Sequence, residues 1–397
     1  MRYKRFIITI IIITNIILTV HFPDAYADGS DVQPNDLYAQ SAVLMDAATG
    51  RILFEKDGYT ARPNASTTKI LTCILALEYG ELNDVVEVSA YAAKMPDVQL
   101  NIREGEQYYL GDLLYSLMLE SHNDTAVAIA EHIGGSASGF AAMMNEKAEE
   151  IGCKSAHFVT PNGLDAEDEG GVHSVSAADL ALILRYCIML SPKSEEFLDI
   201  TQTASYAFSD ISGSRSYSVT NKNAFLSMME GALTGKTGFT ADAGYCYVGA
   251  LTRDGHTYIV ALLACGWPNN KNYKWADCKL LMNYGIDAFA DSLISDADIR
   301  FADVPVADGI EGSYVGLYAS FSHELILKDT DVVSFIYHLP ETLTAPVYAG
   351  GCVGQVEVCI NDELYAIEPV YVSETINERN FNYYLDNVLS SFFVSKN

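Results

Sequence analysis

Basic residues are scarce in this chain: 24 Lys and Arg stand against 52 Asp and Glu, a formal net charge of −28. So acidic a surface repels phosphate backbones, which excludes nucleic acid as a partner, and it argues against charge-driven binding to anionic lipid. Cys/His clusters with metal-ligand spacing are lacking, so neither a metal nor any other cofactor is expected, and a metal-dependent peptidase is disfavoured. No apolar stretch beyond the N-terminal one is long enough to cross a bilayer. There is no internal repeat and no low-complexity segment. Disulfide spacing is missing too. The eight cysteines (Cys73, Cys153, Cys187, Cys246, Cys265, Cys278, Cys352 and Cys359) are scattered, most of them inside apolar runs. A chain of this length buries a sizeable core without staples, so most are expected as core thiols. Cys265–Cys278 and Cys352–Cys359 are the pairs to check.

What is present begins at the N-terminus. Arg2, Lys4 and Arg5 precede an apolar run from Phe6 to Val20, and Ala25-Tyr26-Ala27 has the small-residue spacing of a cleavage site. These features predict an exported, extracytoplasmic protein with a signal peptide over residues 1–27. The alternative is an uncleaved N-terminal anchor, the run being at the short end for a membrane span.

The remainder divides in two, with a tail. Ser41 to Met45 and Arg51 to Glu55 read as a strand pair around a turn, and strands return at Gly235–Phe239, Tyr245–Leu251 and Thr257–Ala264. Arg253-Asp-Gly-His256 is a hairpin signal joining the last two. Helices are predicted after Ser66 and over Gly111–Leu119, Asp124–Ile133, about Phe140–Ile151 and about Trp275–Phe289. Another opens at the capping-box pattern Ser176-Ala-Ala-Asp179. Strands at both ends with helices between them predict an α+β fold, one antiparallel sheet packed on a helical cluster, over residues 28–291. Residues 292–375 change to short alternating apolar runs with Gly and Pro turns, a small all-β domain. In residues 376–397, Phe381, Tyr384, Leu385, Val388, Leu389, Phe392 and Phe393 form one apolar stripe of a helix. Such a stripe suits a membrane interface, or packing on the β domain or another subunit.

Three short stretches carry chemistry. Ser66 and Lys69 are three apart, on one face of a helix whose continuation is apolar almost all round. A buried ammonium loses hydration, and the resulting neutral amine can take a proton from a hydroxyl. The helix start adds free backbone N–H groups to that turn. Ser121-His122-Asn123 lies in a turn between two helices, where a second serine can relay a proton and an amide can hold a carbonyl or the lysine. Lys236-Thr237-Gly238 lies on a strand and offers a cation, a hydroxyl and a close approach for a ligand's backbone. Each is weak alone; the three in this order, in an exported chain, are specific.

This trio resembles that of the β-lactamases and penicillin-binding proteins, and in particular the low-molecular-mass penicillin-binding proteins that are serine-type D-Ala-D-Ala carboxypeptidases. Phe158-Val-Thr-Pro-Asn-Gly-Leu-Asp165, His173-Ser and Ser176-Ala-Ala-Asp-Leu-Ala181 are similar to that family's segment between the second and third motifs. Ala345-Pro-Val-Tyr-Ala-Gly-Gly and Val353-Gly-Gln-Val-Glu-Val358 are similar to its β-rich C-terminal domain. The likeness spans roughly Tyr38 to Val372. It implies a β-lactamase/transpeptidase-like catalytic domain that trims D-alanine from peptidoglycan stem peptides and is inhibited by β-lactams. It also implies roles: Ser66 the acylated nucleophile, Lys69 its base, and Ser121 with Asn123 for proton transfer and peptide positioning. Lys236 and Thr237 would hold the terminal carboxylate, with Gly238 beside them. The backbone N–H groups of Ser66 and Phe239 would be the oxyanion hole. His122 replaces the glycine common in the second motif.

Competing readings are a class A β-lactamase, for which Glu167 or Glu169 would supply the deacylating carboxylate, and a non-catalytic penicillin sensor or wall-binding module. His157 and His173 are expected to pack the Pro161–Asp165 loop, with Asp165 fixing it by a hydrogen bond.

Overall fold

The computed structural model describes residues 32–310 and 313–394. The expected signal peptide lies outside the described residues. The chain folds as two compact units, one ending at Ala288 and the other beginning at Phe289.

The first unit is built on a five-stranded sheet. Its strands are β1 (Ser41–Asp46), β2 (Ile52–Lys56), β3 (Ala232–Thr240), β4 (Gly244–Arg253) and β5 (His256–Leu263), in the spatial order β2-β1-β5-β4-β3. All neighbours are antiparallel. Every residue of β1 is buried, as a strand covered on both faces must be, and its Ala-Val-Leu-Met run reflects that. The β4–β5 turn places Asp254 and Gly255 at φ 53° and 88°, the primed hairpin turn that Asp-Gly encodes.

The helices are α1 (Lys69–Tyr79), α2 (Leu110–Leu119), α3 (Asn123–Gly134), α4 (Ala137–Ile151), α5 (Ala177–Arg185), α6 (Ser194–Gln202) and α7 (Tyr273–Ala288). In α1 everything from Lys69 to Leu77 is buried, so it is the spine of the helical cluster. Burial of its Ile and Leu side chains contributes roughly 1.5–3 kcal/mol each. Helix α5 starts at Ser176, whose side chain accepts from Asp179 N. The reciprocal half of the capping box is not made. Asp179 instead accepts from the backbone N–H groups of Lys154 and Ser155, which ties the loop before α5 to the start of that helix. Helix α6 and the hairpin of Ser205–Ser209 with Ser216–Thr220 are elements that the sequence patterns above did not disclose.

All eight cysteines are free thiols. Six are buried; Cys153 is half-buried and Cys352 exposed. Burial pushes the Cys246 thiol up to about 12, so it is an inert core group at neutral pH.

The second unit is mostly sheet. Five antiparallel strands run in the order Ala290–Arg300, Leu317–Leu327, Glu363–Val372, Cys352–Ile360, Val333–His338. Their core includes Phe321, Phe335, Val356, Val358 and Val370. Helix α8 (Phe381–Val394) follows, with Phe381, Tyr384, Leu385, Val388, Leu389 and Phe392 all exposed. Packing of this stripe on the β domain is therefore not seen among the described residues. No helix among the described residues is long and apolar enough to cross a membrane.

Candidate active site

Ser66 occupies a short 3-10 turn, Ala65–Thr68, that runs straight into α1. The turn is held from both sides. Asn64 donates from Nδ2 to Thr67 Oγ1 at 3.1 Å and to Thr68 Oγ1 at 2.9 Å, and Thr68 Oγ1 lies 2.9 Å from His173 Nε2. His173 Nδ1 accepts from the backbone N–H groups of Val159 and Thr160. The buried imidazole thus ties the Pro161–Asp165 loop to the Ser66 turn, and burial pushes it down to about 4, so it stays neutral. Asp165 accepts from Thr240 Oγ1 at 2.8 Å, fixing the loop to the end of β3 as expected. His157 pairs with Asp168 at 2.7 Å.

Two glycines let the backbone close in. Gly163 sits at φ 81°, and a Cβ there would lie 1.9 Å from the carbonyl oxygen of Ala65. A Cβ on Gly238 would lie 3.0 Å from Ser66 N and 2.9 Å from Asn64 O. The edge strand β3 therefore passes directly beside the Ser66 turn, a distance only glycine allows.

Lys69 is fully buried. Its Nζ lies 2.8 Å from Ser66 Oγ, 2.8 Å from Asn123 Oδ1 and 2.7 Å from the carbonyl oxygen of Asn162. Desolvation, and then the charge of Lys236, hold its pKa well below the ordinary lysine value, with Asp124 opposing. A neutral amine has two N–H groups and one lone pair. In that form the Asn123 amide oxygen and the Asn162 carbonyl can accept both N–H groups, which leaves the lone pair for the Ser66 hydroxyl. The site can therefore deprotonate that serine.

The second motif caps the far side. Ser121 adopts φ 68° between α2 and α3, and its Oγ accepts from Lys236 Nζ at 2.8 Å. Asn123 donates to the carbonyls of Pro96 and Asp97, which orients its Oδ1 toward Lys69. His122 points away, its Nδ1 2.8 Å from Ser116 Oγ. Lys236 is buried on β3 and also donates to the carbonyl of Thr237 at 2.9 Å; burial pushes it down to about 7.

These groups open on one cleft of about 640 Å³. Ser66, Ser121, Lys236, Thr237, Gly238 and Phe239 all line it, whereas Lys69 and Asn123 lie behind the wall, reached through Ser66. Phe239 is 42 % exposed, with its ring 4.6 Å from that of Tyr245. Lys222, Lys271 and Lys274 line the cleft as well, so the cavity is cationic in a strongly acidic protein. The carbonyl of Asn162 is a functional group that residue patterns could not announce, since any residue has one. The signal was its place in the Pro161–Asp165 segment.

Fold and cleft together define the penicillin-binding, transpeptidase-like class of serine acyl-transfer proteins. The peptidase S11 family, described as D-alanyl-D-alanine carboxypeptidase, matches residues 28–265. The D-alanyl-D-alanine carboxypeptidase DacF of Bacillus subtilis is 27% identical over 98% of this chain and 99% of its own length. DacB2 of Mycobacterium tuberculosis is 34% identical over 59% of this chain and 79% of its own. The structure of penicillin-binding protein 5 from Haemophilus influenzae superposes with a TM-score of 0.67, at 26% identity, over 88% of this chain and all of that one. The chain belongs to the D-alanyl-D-alanine carboxypeptidase family of serine peptidases.

Proposed function

We propose that this D-Ala-D-Ala carboxypeptidase removes the terminal D-alanine of peptidoglycan pentapeptides with Ser66 as nucleophile and Lys69 as its base. The observation that carries the reading is the buried Lys69 Nζ, 2.8 Å from Ser66 Oγ and within hydrogen-bond distance of two other acceptors, Asn123 Oδ1 and the Asn162 carbonyl. Lys69 accepts the hydroxyl proton as Ser66 Oγ attacks the penultimate carbonyl carbon. The backbone N–H groups of Ser66 and Phe239 stabilise the oxyanion. As the C–N bond breaks, Ser121 passes a proton to the departing amine and is resupplied by Lys236. Water then cleaves the acyl ester, one of its protons passing by Ser121 to recharge Lys236 while Lys69 returns its proton to Ser66 Oγ, which restores the starting state. Lys236 and Thr237 hold the substrate's carboxylate, Asn123 positions Lys69 and the peptide, and Gly238 admits the extended chain beside β3. β-Lactams acylate the same serine.

A β-lactamase reading finds no support. Glu167 and Glu169 are exposed near a small hairpin of Glu167–Asp168 with Gly171–Val172 and do not line the cleft. The acidic residue that does, Glu120, is bound to Thr220 N and Lys222.

The basic-then-apolar N-terminus and the extracytoplasmic location of peptidoglycan support export, with residues 1–27 as signal peptide. We assign residues 28–291 to catalysis, 292–375 to a β domain and 376–397 to a tail that lies on the membrane surface; trimming stem peptides would bear on cell shape. Release of D-alanine from a pentapeptide ending in D-Ala-D-Ala tests the activity. Its absence, with β-lactam acylation intact, would favour the penicillin-sensing module instead.

A further inference from the structure

Ser121 and Asn123 flank a buried imidazole. His122 is 4 % exposed, and from the start of α3 its ring reaches back onto α2. Nδ1 lies 2.8 Å from Ser116 Oγ on α2, and Ser116 Oγ lies 3.0 Å from Thr125 Oγ1 on α3. Nε2 lies 3.5 Å from Glu120 Oε2 at the end of α2. The opposite oxygen of Glu120 is held by Thr220 N at 3.0 Å and Lys222 Nζ at 3.1 Å. One arrangement satisfies every group: Thr125 O–H donates to Ser116, Ser116 O–H donates to Nδ1, and Nε2–H faces the Glu120 carboxylate. The turn needs such a strap. Ser121 is in the left-handed region at φ 68°, a conformation that costs a residue with a side chain free energy and persists only where the surroundings hold it.

We propose that His122 is a positioning residue for proton delivery: by tying α2 to α3 through Ser116 and Glu120, it holds Ser121 Oγ beside Lys236 Nζ. The inference rests on the role given to Ser121 above. His122 touches no reacting atom, so it acts only through that serine. A glycine in its place would leave the turn sequence workable and the strap gone.

The consequence is dependence on the leaving group. A peptide's amine cannot depart without a proton, whereas a thiolate can, the thiol being far more acidic. The test compares an acyl-D-Ala-D-Ala peptide with the acyl-D-Ala thioester of thioglycolate, which keeps the terminal carboxylate. His122→Gly should lower kcat/KM for the peptide about tenfold or more, a part of the roughly 10²–10⁴ that a positioned proton donor contributes. The thioester should fall by less than about threefold. Ser116→Ala, which leaves the turn's own sequence intact, should show the same selective loss if His122→Gly does not fold. His122→Asn, whose amide oxygen can accept from Ser116, should recover part of the peptide rate. Equal losses on peptide and thioester in both His122→Gly and Ser116→Ala, or no loss in either, overturn the inference. Ser121→Ala separates the two levels. If it is selective for the peptide and the His122 variants are not, His122 alone has lost its role; if Ser121→Ala itself ignores the leaving group, the proton-delivery reading of Ser121 falls and this inference with it.

Discussion

Lys236 Nζ donates to Ser121 Oγ at 2.8 Å, so the cation of the third motif and the hydroxyl of the second form one contact at the cleft wall. The cation has two duties in this account, feeding a proton toward Ser121 and holding the substrate's carboxylate. Net charge does not decide what such a cleft accepts, because the local field of a buried ammonium outweighs distant acidic side chains.

The first prediction concerns substrate charge. Loss of the carboxylate removes one charge-assisted hydrogen bond, roughly 1.5–3 kcal/mol, or about ten- to a hundred-fold. A pentapeptide amidated at its C-terminus should be a correspondingly poor substrate, and Lys236→Ala should erase the advantage of the free acid. Equal kcat/KM for acid and amide in the unmutated enzyme would remove this role from Lys236.

A pH profile follows from the two lysines. Lys69 works as a base only after losing its proton, and its lowered pKa gives kcat/KM an acid limb that rises with pH. Lys236 carries its charge below its pKa of about 7 and loses it above, which gives the free-acid peptide an alkaline limb that falls. The amidated peptide does not use that charge for binding, so its alkaline limb should be weaker. Superimposable profiles for the two peptides would contradict the assignment.

Packing of the loop against the Ser66 turn can be tested at Gly163. An alanine there would carry a Cβ into the Ala65 carbonyl at a positive φ. Overpacking of this kind costs roughly 1–3 kcal/mol, and the left-handed backbone adds about 1–2 kcal/mol. Gly163→Ala should lower the urea midpoint and slow acylation together, as the turn carrying Ser66 shifts. Unchanged acylation at reduced stability would show that the loop supports the fold without placing the serine.

Much of this site was legible because its chemistry resides in side chains at short, fixed spacings. Ser66 with Lys69, Ser121 with Asn123, and Lys236 to Gly238 announce themselves. The inner strands β1, β4 and β5 were legible for a related reason, since burial on both faces makes most of their composition apolar. What stayed hidden was contributed by backbone or by tertiary context. The Asn162 carbonyl that accepts from Lys69 carries no residue identity. Asp179 reads as half of a capping box, yet its carboxylate serves Lys154 and Ser155, partners fixed only by folding. Helix α6 is nine residues long, and only Phe197, Ile200 and Thr201 are buried in it. The strands after it alternate serine and tyrosine with few aliphatic residues, so neither element gives a strong periodic signal.

The tail offers a prediction of a different kind. Its exposed stripe includes Phe381 and Phe392, at 78 % and 74 % exposure, and each large apolar side chain that enters lipid contributes roughly 1.5–3 kcal/mol when fully buried. The processed protein should float with liposomes and a version ending at Glu374 should not. If both remain in the soluble fraction, α8 has some other partner and the membrane-surface assignment fails.

The most direct test of the central claim is to map the acylated residue. After incubation with a penicillin and proteolysis, the covalent adduct should lie on the peptide containing Ser66. Ser66→Ala should abolish labelling, and Lys69→Ala should slow it by several orders of magnitude, because a base that works as a unit with its nucleophile is nearly as indispensable. An adduct on any other serine, or normal labelling of Lys69→Ala, would contradict this account of the active site.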